Sequence, residues 1–419
     1  VRDESATMDE LAHIPAGYSY VTQRDFRLNP EHPPLIKALS GWFTRLAINP
    51  YFPTDVSSWT DDVNGQWTQG AVFLYESGND ADAILFWSRL PIILLAILFG
   101  WLLFVWVRGR FGNVTAFLTL VLFAFSPTVL PIPRYVTSDL GAAFGFFLGV
   151  ITFLRFLERP SIRSILLAGA TLGVALLLKF STVLLLPMYL IMLLGWIWSQ
   201  PNLHLHERIR MAGRLIGRTI IVGLIAIAMV WLVYAYFTAN YPADRQYRDA
   251  EFILSSFSSR PLADFNLALI KNPVTRSLGE YLFGFLMVSQ RAGGGNTGYF
   301  LEEVSASGSR IHFPLLYVLK ESLALHILTI IALMVAFWGR RNLTPFGSRL
   351  QRVRLWIANH FAEFSAFVVI IIYWLSSVTS PLNIGIRHVL PTFPFIYFLV
   401  SRQIVAWLRN IPHPDPDSW

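Results

Sequence analysis

Two adjacent carboxylates near the start of the chain, Asp9 and Glu10, are followed by His13. If this segment is helical, Asp9 and His13 share one face, because residues four apart are neighbours on a helix. A carboxylate in such a place can act as a general base or as a metal ligand. A solvated charged turn explains the same residues, and the spacing alone favours that alternative.

A second polar group stands before paired prolines in the segment Asn29-Pro30-Glu31-His32-Pro33-Pro34-Leu35. Proline is tolerated at the start of a helix, so Glu31 and His32 are expected to be held beside a helix N-terminus, where anions bind well. A rigid helix start with exposed polar flanks accounts for the pattern equally well.

Further charges stand at the ends of apolar runs or inside them. Asp139 follows Arg134-Tyr135-Val136-Thr137-Ser138, and Lys179, Lys320 and Arg387-His388 occupy similar places. Asp139 could simply complement a helix dipole, and Lys179 or Arg387 could snorkel to the headgroups. Otherwise such charges usually have a partner or a function. Lys320 is expected about two turns, roughly 10 Å, inside its span.

The chain that must position these groups is strongly apolar. Of its 419 residues 54% are hydrophobic and 14% charged, and the mean hydropathy is +0.50, which is too apolar for an ordinary globular domain. The net charge of +7 is spread over short loops, which disfavours nucleic acid as a partner. Because there is no cysteine, any metal must bind Asp, Glu or His.

The sequence predicts an all-α polytopic membrane protein, since a spanning helix needs about 20 apolar residues. Nine spans are expected, at about 88–107, 111–130, 138–157, 163–179, 180–199, 216–237, 313–338, 361–379 and 389–408. Arginines are concentrated in alternate loops, which the positive-inside rule places in the cytoplasm. They are Arg108, Arg110, Arg155, Arg159, Arg163, Arg208, Arg210, Arg214, Arg218, Arg340, Arg341, Arg349, Arg352 and Arg354.

Every second connection then falls outside, together with nearly all the acidic residues. We expect one integral domain made of a first external loop, transmembrane helices, a second external segment and further transmembrane helices, at 1–87, 88–237, 238–312 and 313–419. Shorter outer turns are expected at 131–137, 179–181 and 380–388. No signal peptide precedes the first loop, so a helix before Val1 is expected to be missing, and the odd span count predicts a truncation at Trp419 as well.

The external segments should contain amphipathic helices. Leu35, Leu39, Trp42, Phe43 and Leu46 recur at helical spacing opposite Lys37, Ser40 and Arg45, which predicts a short interfacial helix. Residues 262–288 have a similar pattern, and Gly293-Gly294-Gly295 is expected to form a mobile loop.

Carboxylates and cations therefore converge on the outer leaflet, which suits a lipid substrate that carries a phosphate. A sugar on a polyprenyl phosphate already has a good leaving group. Its transfer needs only a base for the acceptor hydroxyl and cations for the released phosphate.

The order of these motifs resembles the GT-C class of membrane glycosyltransferases, in particular the superfamily of dolichyl-phosphate-mannose protein mannosyltransferases and aminoarabinose transferases. The shared pattern runs from residue 9 to about 398. Its elements are Asp9-Glu10 with His13, Gly17 and Tyr18; Glu31-His32-Pro33-Pro34-Leu35; Ser88-Arg89-Leu90-Pro91; Thr137-Ser138-Asp139; Gly298-Tyr299-Phe300-Leu301; and Arg387-His388-Val389-Leu390-Pro391.

The resemblance implies a role for each matching residue. Asp9 would activate the acceptor with support from Glu10, and Asp139 would be the second acid of the pocket, sharing a divalent metal with Asp9 as in some relatives. His32 stands where aminoarabinose transferases have a lysine near the lipid phosphate. The remaining candidates are Lys179, Lys320, Arg387 and His388 for the phosphate, with His13, Glu31 and Arg134 in the same pocket.

The sequence thus predicts a hexosyl- or pentosyltransferase that uses a polyprenyl-phosphate sugar, mannose-like or other. The acceptor would be a hydroxyl or phosphate of a protein, lipid or glycan on the extracytoplasmic face of a bacterial or archaeal plasma membrane, or in the ER lumen. A transporter or flippase of lipids or lipid-linked sugars is the alternative, but it would need polar residues along a path through the bilayer. A non-catalytic scaffold would leave Asp139 and Lys320 without a reason.

Overall fold

The computed structural model describes residues 4–200, 204–295, 297–341 and 348–409. Within these residues the chain is helical apart from one antiparallel hairpin, β1 (Gly298–Phe300) and β2 (Glu303–Ser305). The predicted all-α architecture is confirmed. The predictions at Val1 and Trp419 lie outside the described residues, as do the side chains of Arg340 and Arg341.

The first half of the chain begins with short helices and continues into the bundle. The helices before the bundle are α1 (Met8–Thr22), α2 (Leu35–Ala47), α3 (Ser57–Thr60) and α4 (Gln66–Ala71), with a π-helical turn at Val72–Glu76. The next helices are α5 (Ala81–Phe111), α6 (Asn113–Ala124), α7 (Ser138–Glu158), α8 (Ile162–Leu178), α9 (Leu185–Ser199) and α10 (Leu205–Phe237), with 3₁₀ turns at Ile132–Arg134 and Phe180–Leu184.

The second half begins with three helices outside the bundle core and ends in the bundle. The three are α11 (Ala243–Leu254), α12 (Arg260–Lys271) and α13 (Arg276–Gly294), which share a small apolar core of their own. After the hairpin come α14 (His312–Lys320), α15 (Leu323–Arg341), α16 (Arg349–Asn359), α17 (Phe361–Thr379), a 3₁₀ turn at Ile386–Thr392 and α18 (Phe393–Arg409).

Six helices in the described residues are long and apolar enough to cross a membrane, and they agree with six of the nine predicted spans. They are Ala81–Phe111, Ser138–Glu158, Phe180–Ser199, Leu205–Phe237, Phe361–Thr379 and Ile386–Arg409. The predicted spans 111–130 and 163–179 form the shorter helices α6 and α8, of 12 and 17 residues. The span predicted at 313–338 is bent by 108° between α14 and α15. The protein is a polytopic membrane protein whose spans are less regular than the hydropathy pattern predicted.

Helix α7 is the centre of the bundle. Its glycines recur every fourth residue, at Gly141, Gly145 and Gly149, and leave a face without side chains. A Cβ atom at Gly141 would lie 2.8 Å from Ile36 of α2, and one at Gly145 would lie 3.1 Å from Ala175 of α8. Small residues at this spacing allow helices to approach closely within a membrane. Helix α2 is therefore drawn against the N-terminal end of α7, where Asp139 lies.

Helices α1 and α2 cross with their backbones in contact. A Cβ atom on Gly17 would lie 2.0 Å from the carbonyl oxygen of Lys37, and one on Gly41 would lie 2.3 Å from that of Gly17. No side chain fits at either position, because contacts shorter than 3.0 Å force atoms to shift. The acidic motif on α1 and the paired prolines before α2 are therefore held as one unit.

The amphipathic helix expected after the paired prolines is present as α2, but its polar side faces the protein. Lys37 and Ser40 are buried, whereas Leu46 is 80% exposed and Trp42 36%. The reason is hydrogen bonding to neighbouring elements, since Ser40 Oγ donates to the carbonyl of Ser88 on α5 over 2.7 Å. The apolar side of α2 is left facing outward, as it would against lipid.

The glycine run after residue 290 does not form the loop that was predicted. Gly293 and Gly294 belong to the last turn of α13, and Gly295 follows it with φ of 73°. Glycine often adopts this left-handed conformation just after a helix, because it has no Cβ to clash. The run therefore ends a helix and leads toward the hairpin.

Candidate active site

Four charged side chains of alternating sign meet at one end of the bundle. Arg387 Nη1 donates to Asp9 Oδ2 over 2.7 Å, and Arg387 Nε lies 3.6 Å from Asp139 Oδ2. Lys179 Nζ donates to the other oxygen of Asp139 over 2.6 Å. The order Asp9, Arg387, Asp139, Lys179 thus forms one ion-pair network, which we call the charge network.

Each member of the charge network comes from the end of a different helix. Asp9 lies in the first turn of α1, which a capping box of Thr7 and Glu10 begins. Asp139 is the second residue of α7, where the helix dipole favours a carboxylate. Lys179 directly follows α8, and Arg387 lies in the 3₁₀ turn before α18. The fold therefore brings together four residues that are up to 378 positions apart in sequence.

The two ends of the network differ in access. The side chains of Asp9 and Arg387 are 37% and 41% exposed, whereas those of Asp139 and Lys179 are 6% and 14% exposed. A proton acceptor must reach its substrate. Asp9 is therefore the carboxylate that can meet an incoming hydroxyl, and Asp139 is placed to hold the two cations.

Glu10 is a positioning residue within the described structure. It is fully buried and forms a two-bond ion pair with Arg89, each bond 2.8 Å long, while the amide of Val136 donates to it over 3.1 Å. Burial raises the pKa of Glu10, but the hydrogen bonds from Arg89, Thr7 and Val136 and the charge of Arg89 together outweigh burial, so the pKa is lowered. Glu10 ties the start of α1 to α5 and to the turn before α7, and so fixes Asp9 beside it.

His13 and His32 lie together behind the acidic motif. Their rings meet edge to face at 5.0 Å, and His13 Nδ1 lies 2.7 Å from the carbonyl oxygen of Val136. Burial lowers the pKa of both rings, and the nearby Lys37 adds to the effect. His32 is therefore neutral near pH 7 and would approach a phosphate as a hydrogen-bond donor, without a charge.

Sequence reasoning missed the role of Lys37. Its ammonium group is buried and donates to the carbonyls of Asn29 and His32, each over 2.7 Å, and to the hydroxyl of Tyr20 over 2.8 Å. Burial holds the pKa of Lys37 well below its usual value, against the opposing charge of Glu31. The signal available in the sequence was a lysine within the predicted helix after the paired prolines, at the spacing that places it on one face with Ser40.

Glu31 and His388, two further residues of the predicted pocket, lie in different places. Glu31 accepts hydrogen bonds from Asn64 and Gln66 of the first external loop, over 3.3 and 3.0 Å. His388 stacks on Phe313 at 5.3 Å beside the charge network, and its Nδ1 has no hydrogen-bond partner in the described structure.

Arg134 and Lys320 do not join the charge network. Arg134 is partly exposed and pairs with Glu4 over 2.8 Å. Lys320 is exposed at the end of α14, at the bend before α15. The span in which Lys320 was predicted to lie is not one continuous helix, because it bends directly after this residue.

The residues proposed for a metal do not fit one well. Asp9 and Asp139 are each already paired with a cation, and Arg387 lies between them. No group of three or more metal-ligating side chains occurs among the residues that the structure describes. A divalent ion needs several oxygen ligands that are free to turn toward it. We therefore derive no step through a metal.

An apolar groove of about 310 Å³ lies between α2 and the bundle. Its walls come from α2, α5, α7, α8 and α10, and include Leu35, Trp42, Leu95, Phe144 and Leu178. Leu178 directly precedes Lys179 in the chain. The lining of the groove therefore comes within one residue of Lys179 along the chain.

A second cavity, of about 360 Å³, lies between the β-hairpin and the loop that carries Arg387. Tyr299, Ser307, His312 and Asn383 are among its lining residues. Both ring nitrogens of His312 and the amide nitrogen of Asn383 lack hydrogen-bond partners in the described structure. Such buried groups normally bind water or a ligand. We call this space the hairpin cavity.

Comparison with known proteins bears on what this arrangement does. Residues 77–234 match the family model of dolichyl-phosphate-mannose-protein mannosyltransferase. The chain resembles the GT-C glycosyltransferases. The matched segment contains Asp139 and Lys179, and it leaves Asp9 and Arg387 outside. No curated protein sequence matches the chain.

Two similar solved structures are both described as ArnT from Cupriavidus metallidurans. The apo structure has 15% sequence identity and a TM-score of 0.34, and the alignment covers 96% of this chain and 72% of that one. The structure bound to undecaprenyl phosphate has 13% identity and a TM-score of 0.35, with 96% and 74% covered. At these TM-scores the superpositions add nothing about individual residues.

Proposed function

We propose that the protein is a membrane glycosyltransferase that moves a sugar from a polyprenyl-phosphate donor to an acceptor hydroxyl or phosphate on the extracytoplasmic face. The observation that carries the proposal is the charge network of Lys179, Asp139 and Arg387, together with an apolar groove whose lining includes Leu178, the residue before Lys179. A long lipid chain fits an apolar groove, and its phosphate needs cations. The match to a mannosyltransferase family model and the similarity to a structure bound to undecaprenyl phosphate agree with such a donor.

In the proposed reaction Asp9 takes the proton of the acceptor hydroxyl. The acceptor oxygen then forms a bond to the anomeric carbon of the sugar, and the bond from that carbon to the phosphate oxygen breaks. The electron pair of the broken bond leaves with the lipid phosphate, whose charge Lys179 and Arg387 stabilise. Direct displacement of this kind inverts the anomeric centre.

Arg387 would also control when Asp9 can act. In the structure its guanidinium donates to Asp9, so the carboxylate is paired with a cation. A donor phosphate that binds Arg387 would draw the guanidinium away and leave Asp9 free to accept a proton. The base would thus become available only when the donor is bound, which protects the donor from reaction with water.

The hairpin cavity is the proposed acceptor side. Among its lining residues hydroxyl, amide and aromatic groups predominate, and Glu303 is the one charged residue. Asn383 of this cavity lies four residues before Arg387, and Phe313 links His312 to His388. A ligand here would lie on the open side of the charge network, near Asp9.

Transport is the weaker alternative. In the described residues the charge network lies at one end of the bundle, while α7 through its centre is largely apolar and tightly packed. A transporter would need polar groups near the bilayer midplane.

The test is transfer of label from a polyprenyl-phosphate sugar to acceptors in a membrane extract, by purified wild-type protein and by Asp9→Asn. We expect the variant to lose about 100-fold or more of the rate, as removal of a general base does. Asp55→Asn is the matched control, because Asp55 is exposed on the same external loop and should leave the rate unchanged. Equal transfer by the Asp9 variant and wild type would exclude Asp9 as the base.

A further inference from the structure

A basic cavity lies at the end of the bundle opposite the charge network. It measures about 570 Å³ and is lined by Arg155, Arg159, Arg163 and Leu167, together with Pro160 and two serines. Helix α7 runs from Asp139 at one end to this cavity at the other, about 30 Å at 1.5 Å per residue. The space is therefore separate from the proposed active site, and we call it the arginine cavity.

The three arginines of this cavity have no partner within the described residues. All three are exposed, and none of their guanidinium groups forms a hydrogen bond or an ion pair there. Arginines nearby are used differently. Arg110 pairs with Glu158 over 2.6 Å, and Arg208 donates to the carbonyl of Trp198 over 2.9 Å. Three unpaired guanidinium groups around one cavity form a binding site for an anion with several oxygens.

The surface beside the cavity is apolar. Ile162, Leu166 and Leu167, in the first turns of α8, are 67%, 51% and 42% exposed. Helix α8 has 17 residues, so it is about 26 Å long and shorter than a hydrocarbon core of about 30 Å. A span this short draws the headgroup layer inward at its ends. The arginine cavity is then within reach of lipid headgroups.

We propose that the arginine cavity binds the phosphate headgroup of an anionic diacyl phospholipid, with the acyl chains against Ile162, Leu166 and Leu167. The cations select a negative headgroup, and the exposed leucines and isoleucine select a ligand with apolar chains. A soluble anion would use the first feature and leave the second unexplained. Basic pockets between transmembrane helices bind anionic lipids by this chemistry.

The experiment uses the full protein in nanodiscs with equal amounts of phosphatidylglycerol and phosphatidylcholine, followed by native mass spectrometry in detergent. Wild type should retain phosphatidylglycerol in preference to phosphatidylcholine. The triple variant Arg155→Gln, Arg159→Gln, Arg163→Gln should reduce that preference about a hundredfold, since each arginine contributes about a fivefold factor. The single variant Arg159→Gln should reduce it about fivefold, which provides the result if the triple variant is poorly expressed.

A control triple variant, Arg214→Gln, Arg349→Gln, Arg352→Gln, removes the same charge outside the cavity and should keep the preference. Loss of preference in the control, or retention in the cavity variant, would overturn the proposal. Leu167→Gln keeps all three arginines and should still weaken retention of the diacyl lipid. Displacement of the lipid by millimolar inorganic phosphate would instead identify a site for free phosphate.

Discussion

At the scale of single residues, Arg387 is the group on which the candidate site depends. It contacts Asp9 and Asp139 with different nitrogens, 2.7 and 3.6 Å away. The planar guanidinium presents its donors in a fixed fork that can face two carboxylates from different nitrogens, whereas the ammonium group of lysine is a compact point charge on a flexible stem. The geometry of the network therefore requires arginine here, beyond the need for a positive charge.

This leads to a prediction for the variant Arg387→Lys. We expect about a tenfold to hundredfold loss of sugar transfer, because one carboxylate loses its partner and the leaving phosphate loses a forked donor. Steady-state kinetics with varied donor concentration would measure it. Arg260→Lys is the control, since Arg260 forms an exposed pair with Asp264 and should have no effect. Full activity of Arg387→Lys would show that only charge matters at this position.

A second residue-scale prediction concerns the buried ammonium group of Lys37. In Lys37→Met the buried oxygens of Asn29, His32 and Tyr20 lose their shared donor, so the free energy of unfolding should fall by about 2–4 kcal/mol. Thermal unfolding in detergent would measure the change. Lys271→Met, at an exposed position on α12, should leave the melting temperature unchanged. An unchanged melting temperature for Lys37→Met as well would mean that the loop before α2 is held by other contacts.

At the scale of elements, the three helices α11 to α13 contain a buried acid that should make their packing sensitive to pH. Glu280 accepts a hydrogen bond from Gln246 over 2.6 Å, and burial raises its pKa to about 8, from an ordinary value of 4.5. Between these two values the folded protein binds more protons than the unfolded chain. Stability should therefore fall as the pH rises from about 5 to 8.

The variant Glu280→Gln tests this expectation, because glutamine keeps the shape and cannot titrate. Wild type should lose melting temperature between pH 6 and pH 9, and the loss should be smaller in the variant. Glu251→Gln is the control, since Glu251 is exposed on α11. Identical pH profiles for Glu280→Gln and wild type would show that Glu280 is not the group that titrates.

The elements also show how far the sequence could predict the structure. Hydropathy was sufficient to predict six full-length spans, since a helix needs a long apolar stretch to cross a bilayer. It did not show the bend after Lys320, because Glu321 and Ser322 interrupt an apolar run only briefly. The sequence predicted that α2 has an apolar face. It could not predict the burial of Lys37, because that depends on partners elsewhere in the fold.

Part of the candidate site could also be predicted, because the predicted topology assigns residues to one end of the bundle or the other. Asp9, Asp139, Lys179 and Arg387 could be grouped because the predicted topology places all four at the same end of the bundle. Their pairing order, and the use of Glu10 to bind Arg89, could not be predicted, since spacing in sequence carries no information about contacts across 79 residues.

At the scale of the whole molecule, two sites of different chemistry lie at opposite ends of α7. The charge network and the hairpin cavity lie at one end, and the arginine cavity lies at the other. The positive-inside rule predicts that the arginine end faces the cytoplasm. The proposed transfer would then take place on the extracytoplasmic face.

Labelling of single cysteines tests this orientation cleanly, because the chain has no cysteine of its own. A membrane-impermeant maleimide should modify Ser57→Cys in intact cells. It should modify Ser348→Cys only after the membrane is permeabilised, and both positions are exposed. The opposite pattern would place the charge network in the cytoplasm.

The backbone contact between α1 and α2 restricts how such a protein can diverge. A methyl group at Gly17 would lie 2.0 Å from a neighbouring carbonyl, whereas ordinary contacts begin at 3.4 Å. No single substitution at Gly17 or Gly41 can therefore be accommodated, because even a methyl side chain would clash with the backbone of the neighbouring helix. Evolution of a new sugar or acceptor preference must work through the residues around this fixed pair of helices, such as the hairpin, while the acidic motif and the paired prolines keep their spacing.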